Sequence, residues 1–132
     1  MKWYMLDTNT VSHLIKDHPA VARRVMSASM ASLCISSITE GEILFGLAKR
    51  PEAKRLHLVV KEFLRRVDIL PWDSASAEHY GIARADMVPK GKILAPLDLL
   101  IATHALSVGA ILVTNDRAFG QMTNLVVEDW TE

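Results

Sequence analysis

Five short apolar runs recur along this chain, each separated from the next by stretches whose apolar residues fall at helical spacing. The runs are Trp3-Tyr4-Met5-Leu6, Leu33-Cys34-Ile35-Ser36, and residues 67–70, 110–114 and 125–127. A run this short and this continuously apolar suits a strand buried on both faces, not an alternating strand with one wet face. Strands that alternate with helices are joined by right-handed crossovers, which place helices on both sides of the sheet. The pattern therefore predicts an α/β fold: a doubly wound, three-layer α/β/α sandwich with a central, mainly parallel five-stranded sheet.

The intervening stretches predict helices over 8–16, 19–29, 37–49, 51–66, 74–87 and 96–108. Thr8, Asn9 and Thr10 carry short oxygen-bearing side chains suited to capping the first. Pro19, Pro51 and Pro96 suit first helical turns, and Gly109 suits a helix stop. Ser37-x-x-Glu40 and Thr39-x-x-Glu42 both match a capping box. Pro89, Gly91 and two lysines make 88–95 a loop, and Asn115-Asp116-Arg117 begins a turn or short helix holding Phe119.

The 132 residues fit one domain spanning 1–132. Half are apolar and 23% are charged, which is a globular balance. The formal net charge is zero, so bulk charge gives no argument for a nucleic-acid partner and any basic surface must be local. Cys34 is the only cysteine and lies in an apolar run. It reads as a buried thiol and fits a reducing, cytoplasmic setting. No apolar run approaches the length of a membrane span, and Asp7 comes too early for a secretory signal peptide.

In such a sheet, ligands sit beyond the carboxyl ends of the strands, where the strand order reverses. Asp7 and Asp116 both follow predicted strands. Each is open to two readings, a helix cap or a ligand. Glu42 shares a helix face with Ile38, Phe45 and Gly46, although a capping partnership with Thr39 is open to it as well. Glu40 is the better candidate for a solvated cap partner. Asp98 is the most informative acid, because it interrupts the otherwise apolar stretch from Ala95 to Ala102. A charge drawn into an apolar setting is costly unless it is paired or bound to a cation.

Four carboxylates brought into one pocket repel one another, and a hard cation resolves the conflict. Oxygen ligands favour Mg²⁺ or Mn²⁺, which keep waters for a phosphate substrate and a nucleophile. Competing chemistries lack their signatures. The five histidines show no HExxH or paired metal-binding spacing, and there is no G-x-S-x-G elbow or phosphate-binding glycine loop. His104 reads as a packed or surface histidine.

Four segments, in order, resemble the signatures of PIN-domain ribonucleases, and most closely the VapC toxins of bacterial toxin–antitoxin pairs. They are Met5-Leu6-Asp7-Thr8-Asn9; Ser36-Ser37-Ile38-Thr39 with Glu42 and Gly46; Pro96-x-Asp98-x-x-Ile101-Ala102; and Thr114-Asn115-Asp116 with Phe119. The resemblance runs to the closing Glu128-Asp129-Trp130. It implies a PIN-like sandwich and a Mg²⁺- or Mn²⁺-dependent endoribonuclease. Asp7, Glu42, Asp98 and Asp116 match the family's acidic quartet, with Asp7 and Asp98 as principal metal ligands. Thr8, Asn9, Thr114 and Asn115 match its orienting groups. Thr10 and Ile43 depart from the usual residues without touching the quartet. The resemblance also implies a VapB-type antitoxin, a homodimer that binds operator DNA through the antitoxin complex, and a structured RNA substrate. A tRNA, in particular the anticodon region of initiator tRNA, ranks first among such substrates.

An acidic centre repels phosphate, so a basic rim is needed to dock RNA. Lys90 and Lys92 precede Asp98 and Arg117 adjoins Asp116, which makes these three the candidate phosphate contacts. Trp3, Trp72 and Trp130 suit packing better than base stacking. Two rival readings remain: a receiver-like signalling domain and an idle PIN binding module. A receiver would need a phospho-accepting Asp after the third strand and a Lys after the fifth, whereas Asp73 stands beyond Pro71-Trp72 and Val127 leads into Glu128-Asp129.

Overall fold

The structure is a computed structural model that describes residues 2–132. Its elements follow the predicted alternation: β1 (Tyr4–Leu6), α1 (Thr8–Ile15), α2 (Pro19–Ser27), β2 (Leu33–Ser36), α3 (Ser37–Ala48), α4 (Lys54–Arg66), β3 (Asp68–Leu70), α5 (Ser74–Met87), α6 (Pro96–Val108), β4 (Ile111–Val113) and β5 (Val127–Glu128). Short 3₁₀ turns occupy Met30–Ser32, Val88–Lys90 and Arg117–Gln121. The sheet order is β3-β2-β1-β4-β5, and every neighbouring pair is parallel. The predicted sandwich is therefore present, and its sheet is wholly rather than mainly parallel.

Side-chain alternation across the buried strands divides the core into two faces. Met5, Cys34 and Leu112 point into a cluster with Leu99, Ile101, Ala102 and Ala105 of α6 and with Phe119. Their neighbours Leu6, Leu33, Ile35 and Val113 point the other way, onto Val11, Val21, Ile43, Leu47 and Val60 of α1 to α4. A strand wedged between two such layers has no polar face, which is why the runs are continuously apolar. Cys34 is fully buried, and burial pushes its thiol up to about 12, so it is an unreactive packing group.

Two boundaries differ instructively from expectation. The fourth helix starts at Lys54, because Pro51 and Glu52 form a turn before it. The last strand is Val127–Glu128, paired to Leu112 and Val113, two residues later than the apolar run suggests. Backbone pairing with β4, not local hydropathy, sets that register. Gly109 does end α6, in the left-handed conformation with φ 68° that glycine adopts at little cost.

The C-terminal segment is tied down by Trp130, which is 2% exposed and packs on Tyr4 at 5.2 Å. Its indole N–H donates to Glu128 Oε1 at 3.0 Å, and the same carboxylate takes an ion pair from Arg24, whose guanidinium lies over the Trp130 ring. Trp72 likewise donates to the Leu100 carbonyl at 2.9 Å. Both rings pack, as the sequence suggests. Replacing Trp130 with Ala is expected to cost about 3–5 kcal/mol in urea unfolding, and with Phe distinctly less.

Candidate active site

Parallel pairing delivers every strand end to one edge of the sheet. The chain passes from β1 outward to β2 and β3, then crosses back to β4 on the other side of β1. The crevice at that reversal is bounded by the turns after β1 and β4. α6 leads into β4 and runs against it, so its first turn opens at the same edge. Asp7 follows β1, Asp116 follows β4, Asp98 sits in the first turn of α6, and Glu42 lies within α3, the helix that follows β2.

Asp7 is 4% exposed. It caps α1, with Oδ1 accepting from the Thr10 N–H at 2.8 Å. The sequence assigned that duty to Thr8, Asn9 and Thr10; instead those three residues form the first helical turn, and the cap reading of Asp7 holds. Thr10 is also buried, and its hydroxyl donates to the Val113 carbonyl at 3.0 Å, stitching α1 to β4. Its spacing three residues after Asp7 is the only sign of this role in the sequence.

Glu42 is held from across the crevice. The Thr8 hydroxyl donates to Glu42 Oε1 at 2.6 Å, with Thr39 Oγ1 a weaker contact at 3.4 Å. Neither expected capping box forms. The cap of α3 is Ser36, whose Oγ accepts from the Ile38 N–H at 3.1 Å and shares a 2.7 Å hydrogen bond with His104 Nδ1. His104 is thus a packed histidine, 1% exposed, that fixes the start of α3 against α6. Burial lowers its pKa, which favours the neutral ring. Ser37, the other expected cap, accepts instead from the Trp72 N–H at 3.1 Å.

Asp116 caps the turn Arg117–Gln121 through the Ala118 N–H at 2.9 Å, and its own N–H donates to Thr114 Oγ1 at 3.1 Å. Thr114 is buried beside Asp7, whereas Asn9 and Asn115 are exposed. Of the four predicted orienting residues, Thr8 and Thr114 therefore engage the acids, and the two asparagines face outward.

The electrostatics show that the four acids share one field. Burial pushes the Asp7 carboxyl above its ordinary value, Asp116 adds to the rise, and hydrogen bonds from Thr114 and Thr10 oppose it. Asp98 is also raised, first by desolvation and then by the charges of Asp116, Asp7 and Glu42. Among the described residues none of the four is ion-paired; the cations that do pair go to Glu128, Glu62 and Asp86. An all-oxygen, uncompensated anionic pocket suits a hard divalent cation. Among the described residues no group of three or more His, Cys, Asp or Glu side chains forms a ready-made cage.

Of the predicted phosphate contacts, Lys90 and Lys92 both lie near Asp86, and Arg117 stands next to Asp116 in the chain. Lys90 is paired with Asp86 at 2.9 Å on the surface. Lys92 lines a cavity with Tyr80, Arg84 and Met87. Arg117 is exposed beside Asp116.

Comparison with known proteins accounts for this arrangement. The PIN domain family profile matches residues 4–125. The chain is 39% identical over 129 residues to a tRNA(fMet)-specific endonuclease VapC of Shigella flexneri, covering 97% of this chain and 98% of that protein. The DNA-bound VapBC structure from Salmonella typhimurium superposes with a TM-score of 0.90 at 38% identity, covering 98% of this chain and 99% of the other. VapBC2 of Rickettsia felis, bound to a DNA fragment from its promoter, gives 0.88 at 32% identity, with 96% and 98% covered. This chain belongs to the PIN-domain family and, within it, to the VapC ribonuclease toxins of VapBC toxin–antitoxin systems. That membership removes the receiver-like reading.

The raised carboxyls carry a sign for stability. Between the ordinary carboxylate pKa and the raised one, the folded, metal-free protein holds protons that the unfolded chain has released. Its stability therefore falls as pH rises through that window and stays lower above it. In EDTA at neutral pH, Asp98→Asn is expected to raise Tm by a few degrees at most, because solvent screens a half-buried group. Added Mg²⁺ or Mn²⁺ is expected to raise the Tm of the unaltered protein and to have much less effect on the variant. Calorimetry with and without the ion checks both directions.

Proposed function

We propose that this chain is the toxin of a toxin–antitoxin pair, acting in the cytoplasm as a single 1–132 domain and hydrolysing RNA phosphodiester bonds with Mg²⁺, for which Mn²⁺ substitutes. The observation that carries this reading is the set of four unpaired carboxylates at the strand-order reversal, two of them with raised pKa. A bound divalent cation supplies Lewis-acid stabilisation of charge at phosphorus and lowers the pKa of water.

Asp7 and Asp98 are the principal ligands in this reading. Asp7 spends one oxygen on capping α1, which fixes the orientation of the carboxylate and leaves the other for the ion. Glu42 and Asp116 complete the pocket, directly or through water. Thr8 aims Glu42, and Thr114 braces both Asp116 and Asp7. Asn9 and Asn115 lie exposed beside the two aspartates and complete the proposed set of orienting groups. Arg117, with Lys90 and Lys92 farther along the rim, supplies phosphate contacts that offset the acidic centre.

The relatives' names extend the reading. Two relatives are named tRNA(fMet)-specific endonuclease VapC, and two solved VapBC structures are bound to DNA. A tRNA substrate, a VapB-type antitoxin, a homodimer and operator binding through the complex are proposed here on that basis. Among the described residues no helix is long and apolar enough to cross a membrane.

Purified protein is expected to cleave initiator tRNA in Mg²⁺, and undiminished cleavage in EDTA would overturn the metal mechanism. Asp98→Asn and Asp7→Asn are expected to abolish detectable cleavage while circular dichroism stays native, since Asn retains a capping oxygen at position 7. Thr8→Val, which frees Glu42, is expected to reduce kcat/KM by about 10–100-fold. An idle binding module would show no turnover in any of these assays.

A further inference from the structure

Phe45 is 63% exposed and lies one turn beyond Glu42 on α3. With Ile38, Gly41 and Leu97 it walls an open depression of ≈ 440 Å³ that also has Glu42 in its wall. Leu97 immediately precedes Asp98, so the depression is bounded by segments that carry two of the four acids. Lys49, four residues after Phe45, lays its Nζ over the ring at 4.7 Å. Lys49 also lines, with Lys16 and Arg50, a second groove that includes Glu42. Among the described residues none of these three cations is ion-paired.

A planar ring open to solvent and a set of free cations thus meet within two turns of a carboxylate of the candidate centre. A nucleotide is their complement, offering a planar base to one and a phosphate to the other. Base stacking on an aromatic ring tolerates any sequence, because every base has a π-face. A cation beside it counters the repulsion of the acidic pocket. We propose that Phe45 and Lys49 form a nucleotide-binding ledge, where a base flanking the scissile phosphate stacks on Phe45 and an adjoining backbone phosphate is held by Lys49. The proposal rests on the ribonuclease reading above and adds a subsite on α3, apart from the Lys90, Lys92 and Arg117 rim.

Gly41 provides a blocking variant. Gly41 lines the depression, a Cβ built there meets nothing within 4 Å, and replacing a helical glycine favours the helix.

The test measures RNA binding in Asp98→Asn protein, so that affinity is read without cleavage. The probes are an initiator-tRNA anticodon stem-loop and a single-stranded RNA carrying 2-aminopurine at successive positions. One position is expected to be quenched on binding. Phe45→Ala removes that quench and weakens binding about tenfold, Phe45→Trp restores both, and Phe45→Leu does not. Lys49→Ala lowers the salt slope by about one contact. Gly41→Leu melts no lower than the parent yet binds as weakly as Phe45→Ala. In protein with Asp98 intact, Phe45→Ala raises KM with kcat within about twofold.

Unchanged RNA affinity in Phe45→Ala, or full rescue by Leu, overturns the ledge. So does a loss of binding that follows a change of oligomeric state in sedimentation. Weakened antitoxin binding with RNA binding intact assigns the patch to a protein partner and overturns it equally. If the protein cleaves RNA while the ledge variants behave as the parent, only the ledge fails. If it neither cleaves nor binds RNA, the ribonuclease reading fails as well.

Discussion

Four carboxylates held on one edge of a parallel sheet, with no ion-pairing cation among the described residues to neutralise them, are the constraint around which this molecule is arranged. Like charges at close quarters oppose folding, and the raised pKa values of Asp7 and Asp98 register that opposition. The fold holds the acids together because each is placed by backbone that cannot move independently. Asp7 and Asp116 follow central strands, Asp98 is locked into the first turn of a buried helix, and Glu42 rides on a helix whose start is pinned by Ser36 and His104. Such a site is electrostatically unfavourable in the bare chain, and a divalent cation is the kind of ligand that relieves it.

The same groups serve structure and chemistry together. Asp7 satisfies a free N–H at the start of α1, and Asp116 does so at its own turn. Capping orients the carboxylates at little extra cost, because the hydrogen bonds are required in any case. Thr8 and Thr10 divide the work further: one faces the crevice and aims Glu42, while the other faces the sheet and ties α1 to β4. Cap and ligand, which look like alternatives along the chain, are compatible because a carboxylate has two oxygens.

Much of the fold was legible along the chain. The continuous apolar runs required strands covered on both faces, and the alternation of Met5 and Leu6, or Leu112 and Val113, between the two core layers is what that continuity means in space. Helix bounds at Pro96, Ser74 and Gly109 followed from local chemistry and hold. The weak points were where local chemistry offered several equivalent choices. Ser37 and Thr39 were both expected to cap α3, whereas Ser36, bonded to His104, is the cap and Ser37 is engaged by the Trp72 N–H. The last strand shifted because its partner, not its own hydropathy, sets the register.

By itself the sequence determined the alternating α/β architecture and singled out four acids as candidates. Both are written in local patterns: the length of apolar runs, and a charge standing where an apolar residue is expected. Tertiary structure decided what those patterns leave open. It brought acids 35 to 109 positions from Asp7 into one electrostatic field, chose which threonine aims and which one stitches, and exposed Phe45 beneath Lys49 at the edge of the site. These are relations between segments distant in the chain, and they exist only once the strand order has been set.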